Sequence, residues 1–235
     1  MQAPYGAAMT ITYVLRVWLP DRPGALGAVA SRVGAVGGDV VGIDILERGA
    51  GRAIDELAVE LPDAGLVDLL IDEVQQVDGV DVEDLRPSAD ALHDPRLDAL
   101  ETAAVLVGAS TTSEAVSALC AHATRTVGAT WAAVVVLENG DVVAAEGSTP
   151  DAGWIMAFVE GSQSSARANG DAPPAVGDVA WAPMPAAGMA LVLGRDGHVF
   201  RARERRQAAA LSRIVDTRFR ELKRSEARQV HPAAG

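Results

Sequence analysis

The sequence has one cysteine, Cys120, among 235 residues. A single cysteine cannot form an internal disulfide bond, and its isolation fits a reducing cytoplasm. The chain also lacks any run of about 18 apolar residues, the length that spans a bilayer. Residues 1–5 contain no basic n-region followed by an apolar h-region, so we expect no signal peptide. These absences predict a cytoplasmic protein with no membrane partner.

The sequence is equally poor in residue patterns that carry enzymatic chemistry. It has no G-x-S-x-G elbow, no G-x-x-x-x-G-K-[ST] phosphate loop and no G-x-G-x-x-G after a strand. The histidines are scattered, and none has a cysteine or carboxylate at a spacing typical of zinc sites: His93, His122, His198 and His231. We therefore expect no enzyme, no cofactor and no metal site.

The remaining reactive side chains have plainer interpretations. Cys120 is predicted to be a core residue of a helix rather than a nucleophile. The acidic segments Asp55-Glu56 and Asp81-x-Glu83-Asp84 are interpreted as solvated strand faces, with an acid–base pair as the weaker alternative.

Basic residues are in the minority, and the net charge is −12. Residues 1–88 and 89–194 each carry a net charge of −9, whereas residues 195–235 carry +6. An acidic protein repels nucleic acid, so we expect no nucleic-acid partner. The basic segment is interpreted as a solvated helix face that offsets the acidic body; binding to a membrane, nucleic acid or partner protein is the alternative.

Residues 11–87 show a strand–helix–strand–strand–helix–strand pattern. Apolar residues alternate with other residues from Ile11 to Leu19, which predicts a strand. Helical spacing then runs from Leu26 to Val36, and later strands are predicted around 41–45, 57–61 and 80–85, with a second helix over 66–77. This order predicts a ferredoxin-like fold, with two helices on one face of an antiparallel sheet.

The stretch from Leu19 to Leu26 connects the first strand to the first helix. Such a turn presents free backbone N–H groups at a helix N-terminus, where the helix dipole also favours an anion. Gly24 leaves room for a small ligand with an α-carboxylate, and Asp21 could bind its α-ammonium group. The alternative is a turn with Pro23 as the first helical residue and Asp21 as its cap, which needs no ligand.

This segment resembles the first strand, loop and helix of an ACT domain, a regulatory module that binds amino acids. The resemblance is carried by Asp21, Pro23, Gly24 and Leu26, and by the segment 38–43 (Gly-Asp-Val-Val-Gly-Ile). It implies an amino-acid site and an edge-to-edge homodimer that places the start of the second strand of one chain against the loop of the other. The implied site residues are Asp21, Arg22, Pro23, Gly24, Ala25, Leu26, Asp39, Val40, Val41, Gly42 and Ile43.

Residues 95–225 resemble a GAF domain, a sensing fold related to PAS. The resemblance rests on the order helix–helix–hairpin–loop–strands–long helix and on the strand entry at 128–136. The chain lacks the N-K-F-D-E residues of cyclic-nucleotide GAF domains, and no cysteine stands where a bilin attaches. The overall expectation is an α+β protein with a tail (1–10), an ACT-like domain (11–87), a linker (88–94), a GAF-like α/β sandwich (95–225) and a tail (226–235).

The pattern of residues 95–225 predicts a helix pair, a loop and a pocket. A stripe of Leu97, Leu100, Ala104 and Val107 is predicted to pack on the final helix, which carries Ala208, Leu211, Val215, Phe219 and Leu222. A mobile loop is predicted over 161–178. It would cover a pocket lined by Trp154, Met156 and Trp181, with plain core packing of these side chains as the alternative.

The function that these features favour is a cytoplasmic regulator that binds a small amino acid and signals through its dimer or a partner protein. The rival hypothesis is a ligand-free scaffold that retains both folds for dimerisation or protein interaction.

Overall fold

The computed structural model describes residues 10–87, 95–169 and 177–230, and these form two compact units, 10–87 and 95–230. Both units combine helices with an antiparallel sheet, which confirms the predicted α+β class. Among the described residues, no helix has both the length and the apolar character needed to cross a bilayer.

The first unit contains the predicted βαββαβ order. Its elements are β1 (Ile11–Pro20), α1 (Ala25–Ala35), β2 (Asp39–Gly49), β3 (Arg52–Leu61), a 3-10 turn (Ala64–Leu66), α2 (Val67–Gln75) and β4 (Asp81–Pro87). The sheet order is β2-β3-β1-β4, with every neighbouring pair antiparallel. β2 is therefore an edge strand.

Alternation along the strands assigns one sheet face to the helices. Leu15 and Val17 of β1 lie on this face and are fully buried with Val29 of α1 and Leu70 of α2. The opposite face carries an ion-pair cluster in which Arg16 and Arg86 both contact Glu56, at 2.7 and 2.8 Å. Burial alone would raise the pKa of Glu56, but these two guanidinium groups lower it below its ordinary value.

The second unit is a four-stranded sheet with helices on both faces. Its elements are α3 (Pro95–Gly108), α4 (Thr112–Val127), β5 (Trp131–Val136), β6 (Val142–Glu146), α5 (Ala152–Asn169), β7 (Val179–Met184), β8 (Met189–Gly194) and α6 (Ala202–Val230). The strand order is β6-β5-β8-β7. α4 and α6 share one core with the sheet, and α5 covers the other face through Ile155 and Val159.

Two boundaries in this unit differ from the predictions. The loop predicted over 161–178 is wrong for residues 161–169, which continue α5; residues 170–176 lie outside the described part. Ser162 is buried one turn after Val159, so the side of α5 that packs on the sheet continues into the predicted loop. The final helix extends to Val230, so residues 226–230 are helical rather than a tail.

α3 contacts α6, as predicted, but the predicted apolar stripe of α3 is not the face that is buried. Leu97, Leu100 and Val107 are exposed, Leu100 by 70%. The buried face of α3 instead presents Thr102 and Leu106. Thr102 Oγ1 lies 3.3 Å from His122 Nδ1 and 3.4 Å from Thr126 Oγ1, both on α4. The face of α3 that is buried is therefore the one that makes these polar contacts with α4, and not the face with the apolar stripe.

The final helix largely follows its predicted stripe. Ala208, Leu211, Val215 and Leu222 are buried, whereas Phe219 is only partly buried, with Lys223 Nζ 5.8 Å from its ring centre. On the α5 side of the sheet, Met156 and Trp181 pack against the core, and Trp154 stacks on Phe158. This packing supports the plain-core alternative for Met156 and Trp181, whereas Trp154 is 45% exposed.

Candidate functional site

The loop between β1 and α1 is held by its own backbone and by the neighbouring hairpin. β1 ends where Pro20 pairs with Arg52, and the Asp21 N–H then donates to the Gly51 carbonyl at 2.9 Å. The Arg22 N–H donates to the Pro20 carbonyl at 2.8 Å. These bonds fix the loop at the end of the sheet that carries the β2–β3 turn.

α1 begins without a side-chain cap. Gly24 is the N-cap residue, and its φ of 87° is a left-handed conformation that glycine adopts without strain. No side chain caps the helix, and among the described residues the N–H groups of Leu26 and Gly27 have no acceptor. These are the second and third helical N–H groups, which a cap normally satisfies. The alternative with Pro23 as first helical residue and Asp21 as cap is therefore wrong.

The first turn of α1 is open to an approaching ligand. A Cβ placed on Gly24 would meet no atom within 4 Å, and the side chains of Asp21, Arg22 and Pro23 are exposed. Ala25 is buried in the core, and Leu26 packs against it. Residues 21–24 thus form an exposed surface next to the two free N–H groups, whose position at a helix N-terminus suits a carboxylate.

Asp55, on β3, is a polar residue buried beneath this end of the sheet. Its relative exposure is 3%, and it pairs with Val17 of β1 and Ile45 of β2 on the face that the helices cover. Its Oδ1 is buried with no hydrogen-bond partner among the described residues. Burial raises the pKa of Asp55, Arg48 opposes that effect and the negative charge of Asp21 adds to it.

The interpretation of Asp55-Glu56 as a solvated face is wrong for Asp55. Asp55 belongs to the same alternation as Leu57, Val59 and Leu61, all of which face the core. Extending that alternation two residues towards the N-terminus would have placed Asp55 on the buried side. Glu56 does lie on the opposite face, where it is ion-paired.

The second predicted segment lies away from the loop within one chain. Asp39 pairs with Glu60, whereas Gly49 and Pro20 both pair with Arg52. Eight residues of β3 separate these positions, about 26 Å at a rise of ~3.3 Å per residue. A single chain therefore brings Asp21–Leu26 together with one another but leaves Asp39, Val40, Val41, Gly42 and Ile43 further along the edge strand.

Cys120 lies in the core, as the sequence indicated. Cys120 is buried, and burial raises the pKa of its thiol to about 12, which leaves it a thiol rather than a thiolate. Within 10–87, 95–169 and 177–230, no cluster of three or more histidine, cysteine or acidic residues is arranged to hold a metal.

Comparison with known proteins gives a family for the first unit. The ACT domain model matches residues 13–79, under a third of the chain. A curated relative, the NAD-dependent malic enzyme of Geobacillus stearothermophilus, is 28% identical over 93 residues, 40% of this chain. The chain spans about a fifth of that enzyme's length.

Two solved structures were also similar. The crystal structure of the ACT domain from the GTP pyrophosphokinase of Chlorobium tepidum is 14% identical, with a TM-score of 0.28, covering 34% of this chain and all of that one. The crystal structure of an unknown protein from Galdieria sulphuraria is 14% identical with a TM-score of 0.32, covering 89% of this chain and 94% of the other. The family-model match shows that an ACT domain, generally a regulatory module for small ligands, is present at residues 13–79.

Proposed function

We propose that the ACT domain of this protein binds a small amino acid and that the protein is a cytoplasmic regulator rather than an enzyme. The observation that carries this proposal is the uncapped first turn of α1, with the free N–H groups of Leu26 and Gly27 beside the open Gly24. Two backbone donors at the positive end of a helix bind a carboxylate well. Asp21, which is exposed on the same loop, would accept hydrogen bonds from the α-ammonium group.

The protein is proposed to act as a homodimer through the edge of β2. This strand has an unpaired edge within the unit and exposes Val41, Ile43 and Ile45, Ile43 by 49%. An antiparallel pair of two β2 strands would place the Asp39 end of the partner beside the Gly49 end of the first chain. That is the end that carries the loop, so such a dimer would complete the site with the segment 39–43.

The signal is proposed to leave through the dimer or through a partner protein that recognises it. The second unit, proposed to be GAF-like because of its element order and its sheet covered on both faces, would carry the response or sense another ligand. The alternative remains a scaffold that uses both folds for assembly without any ligand. Binding of an amino acid separates these two functions.

Replacing Gly24 by asparagine tests the ligand site. Asparagine tolerates the left-handed conformation of this position better than valine, and its side chain would compete for the free N–H groups. In the wild type, an amino acid at a hundred times its Kd stabilises the fold by about 2.7 kcal/mol. We expect the variant to lose that stabilisation in a thermal-shift screen of the twenty amino acids.

The matched control is Gly197→Asn, in the second unit. Gly197 has a φ of 91° and open space around its Cβ position, so the substitution carries the same backbone strain without touching α1. The control should keep the full ligand response. An equal response in Gly24→Asn and wild type would refute the site, and no response to any amino acid in the wild type would favour the scaffold.

Replacing Ile43 by lysine tests the dimer. A charge on the exposed edge strand should oppose strand pairing between chains, so light scattering should show a dimer for the wild type and a monomer for Ile43→Lys at micromolar concentration. Leu69→Lys, at an equally exposed position on α2, should stay dimeric. A wild type that is monomeric with and without amino acids would exclude this interface.

A further inference from the structure

One side of α3 carries an apolar stripe that faces solvent. The α3 stripe consists of four exposed side chains, which are Leu97 (54%), Leu100 (70%), Ala104 and Val107 (56%). Thr102 and Leu106 are buried on the other side of the helix, so the stripe points away from the core of the second unit. It runs for about 15 Å at a rise of ~1.5 Å per residue. An uncovered apolar surface of this length is typical of a site where another protein docks.

The spacing of the α3 stripe is that of a helix–helix seam. Its residues follow one another at intervals of three, four and three, which is the a/d pattern that two paired helices bury between them. A helix that packs on a sheet usually has a wider apolar face, with further apolar positions beside this seam. The narrow α3 stripe therefore fits one opposing helix.

The two flanks of the α3 stripe carry opposite charges. On one flank, Val107 lines a groove of about 480 Å³ together with Ala210, Arg213 and Ile214 of α6. Glu101 lies on the other flank, about 120° around the helix from Val107 at 3.6 residues per turn. Both Arg213 and Glu101 are exposed, and neither forms an ion pair within the described residues. The surface thus offers an apolar seam with an unpaired cation on one side and an unpaired carboxylate on the other.

We propose that a second copy of this chain covers the α3 stripe, with the two α3 helices packed in parallel around a two-fold axis. In a parallel pair, each flank of one helix faces the opposite flank of its partner. Glu101 of each copy then faces the α6 side of the other copy, where Arg213 lies, so the unpaired charges meet with opposite sign. An antiparallel pair would place Glu101 against its own copy. The charges therefore favour a second copy of this chain in the parallel direction.

The proposed contact is small, and this sets its strength. α3 has 14 residues and a length of about 21 Å. A pair of helices of that length falls below the roughly 1,000 Å² of buried surface that a stable interface needs, so the contact is weak between separate chains. The β2 pairing proposed above would strengthen it by raising the local concentration of the two helices towards millimolar values. The inference goes beyond the proposed function, because α3 should pair at high concentration without β2 and without any ligand.

Sedimentation of the full chain in an Ile43→Lys background tests the contact, because this substitution removes the β2 edge from the measurement. Between about 10 μM and 1 mM, we expect the monomer to convert reversibly to a dimer. Adding Leu100→Glu should weaken this association at least about tenfold, since two like charges would face each other in the seam.

Val105→Glu is the matched control, because Val105 is 46% exposed on the same helix but lies outside the α3 stripe. It should leave the association unchanged. A monomer at every concentration, or equal weakening by Leu100→Glu and Val105→Glu, would refute the inference. Neither result would bear on the ligand site or on the β2 contact, which are measured separately.

Disulfide formation between two copies tests the parallel direction. Leu100→Cys places a thiol where the parallel pair brings position 100 against itself, close enough for a disulfide bond. The native Cys120 does not compete, because it is buried and burial raises the pKa of its thiol to about 12. At about 500 μM under mild oxidation, Leu100→Cys should cross-link at least about tenfold faster than Val105→Cys. Equal rates would overturn the parallel pair.

A charge exchange tests the contact between the flanks. Glu101→Arg should weaken the association about threefold, because it would face Arg213 of the other copy. Adding Arg213→Glu should restore the original affinity, since the two charges again have opposite sign. A combined variant that stays as weak as Glu101→Arg alone would show that these residues do not meet.

Discussion

Replacing Glu204 by glutamine is expected to lower the free energy of unfolding of the second unit by about 3 to 5 kcal/mol, the usual cost of breaking a buried ion pair. The side chains of Arg195 and Glu204 are 1% and 7% exposed. They form two parallel bonds, Nη1 to Oε1 at 2.6 Å and Nη2 to Oε2 at 2.8 Å. Glutamine would turn an amide N–H₂ group towards the guanidinium and remove the negative charge that faces this buried cation.

The cost is high because this guanidinium connects three elements. It donates to the carbonyls of Val127 and Gly128 at the end of α4, and to those of His198 and Val199 after β8. Glu204 in turn accepts from the Arg201 N–H at the start of α6. A cation at a helix C-terminus is also favoured by the helix dipole.

Urea unfolding of the two variants Glu204→Gln and Glu221→Gln checks this prediction. Glu221 lies on the same helix in an exposed pair with Arg218 at 3.2 Å, and its variant should cost less than about 1 kcal/mol. The double variant Arg195→Met, Glu204→Gln should stay destabilised, because four carbonyls lose a donor. A cost below 1 kcal/mol for Glu204→Gln would show that the pair contributes little.

Replacing Gly194 by alanine is expected to destabilise the second unit by about 3 kcal/mol through overpacking. Gly194, at the end of β8, lies opposite Trp131 in the antiparallel pair with β5. A Cβ there would stand 2.1 to 2.3 Å from three atoms of the Trp131 indole. The indole is itself held edge-on against Trp154, with ring centres 6.4 Å apart, so it must shift as a whole.

Gly161→Ala is the matched control, because Gly161 lies inside α5 with open space at its Cβ position. The same chemical change there should stabilise the unit by about 0.5 to 1 kcal/mol, since alanine favours a helix over glycine. In a Trp131→Leu background, Gly194→Ala should cost less than about 1 kcal/mol. Unchanged stability and unchanged tryptophan fluorescence in Gly194→Ala would contradict the close contact.

The order of elements in both units could be predicted because it depends on local periodicity. Alternation over β1 and helical spacing over α1 identify their buried sides without knowledge of any partner. The same reasoning failed on α3, where Leu97 and Leu100 share a face that the fold leaves exposed. Spacing identifies which side chains share a face, but contacts with other helices decide whether that face is buried.

The candidate site also has one part that the sequence predicted and another that only the fold determined. The sequence by itself determined the loop from Asp21 to Leu26, because a strand, a Pro/Gly turn and a helix follow one another within a few residues. Only the tertiary structure decided that Gly24 leaves the helix uncapped and that Asp55 is buried, because the pairing of β3 with β1 places Asp55 opposite Val17 on the face that the helices cover. The Arg195–Glu204 pair depends likewise on how α4, β8 and α6 converge, which no local pattern encodes.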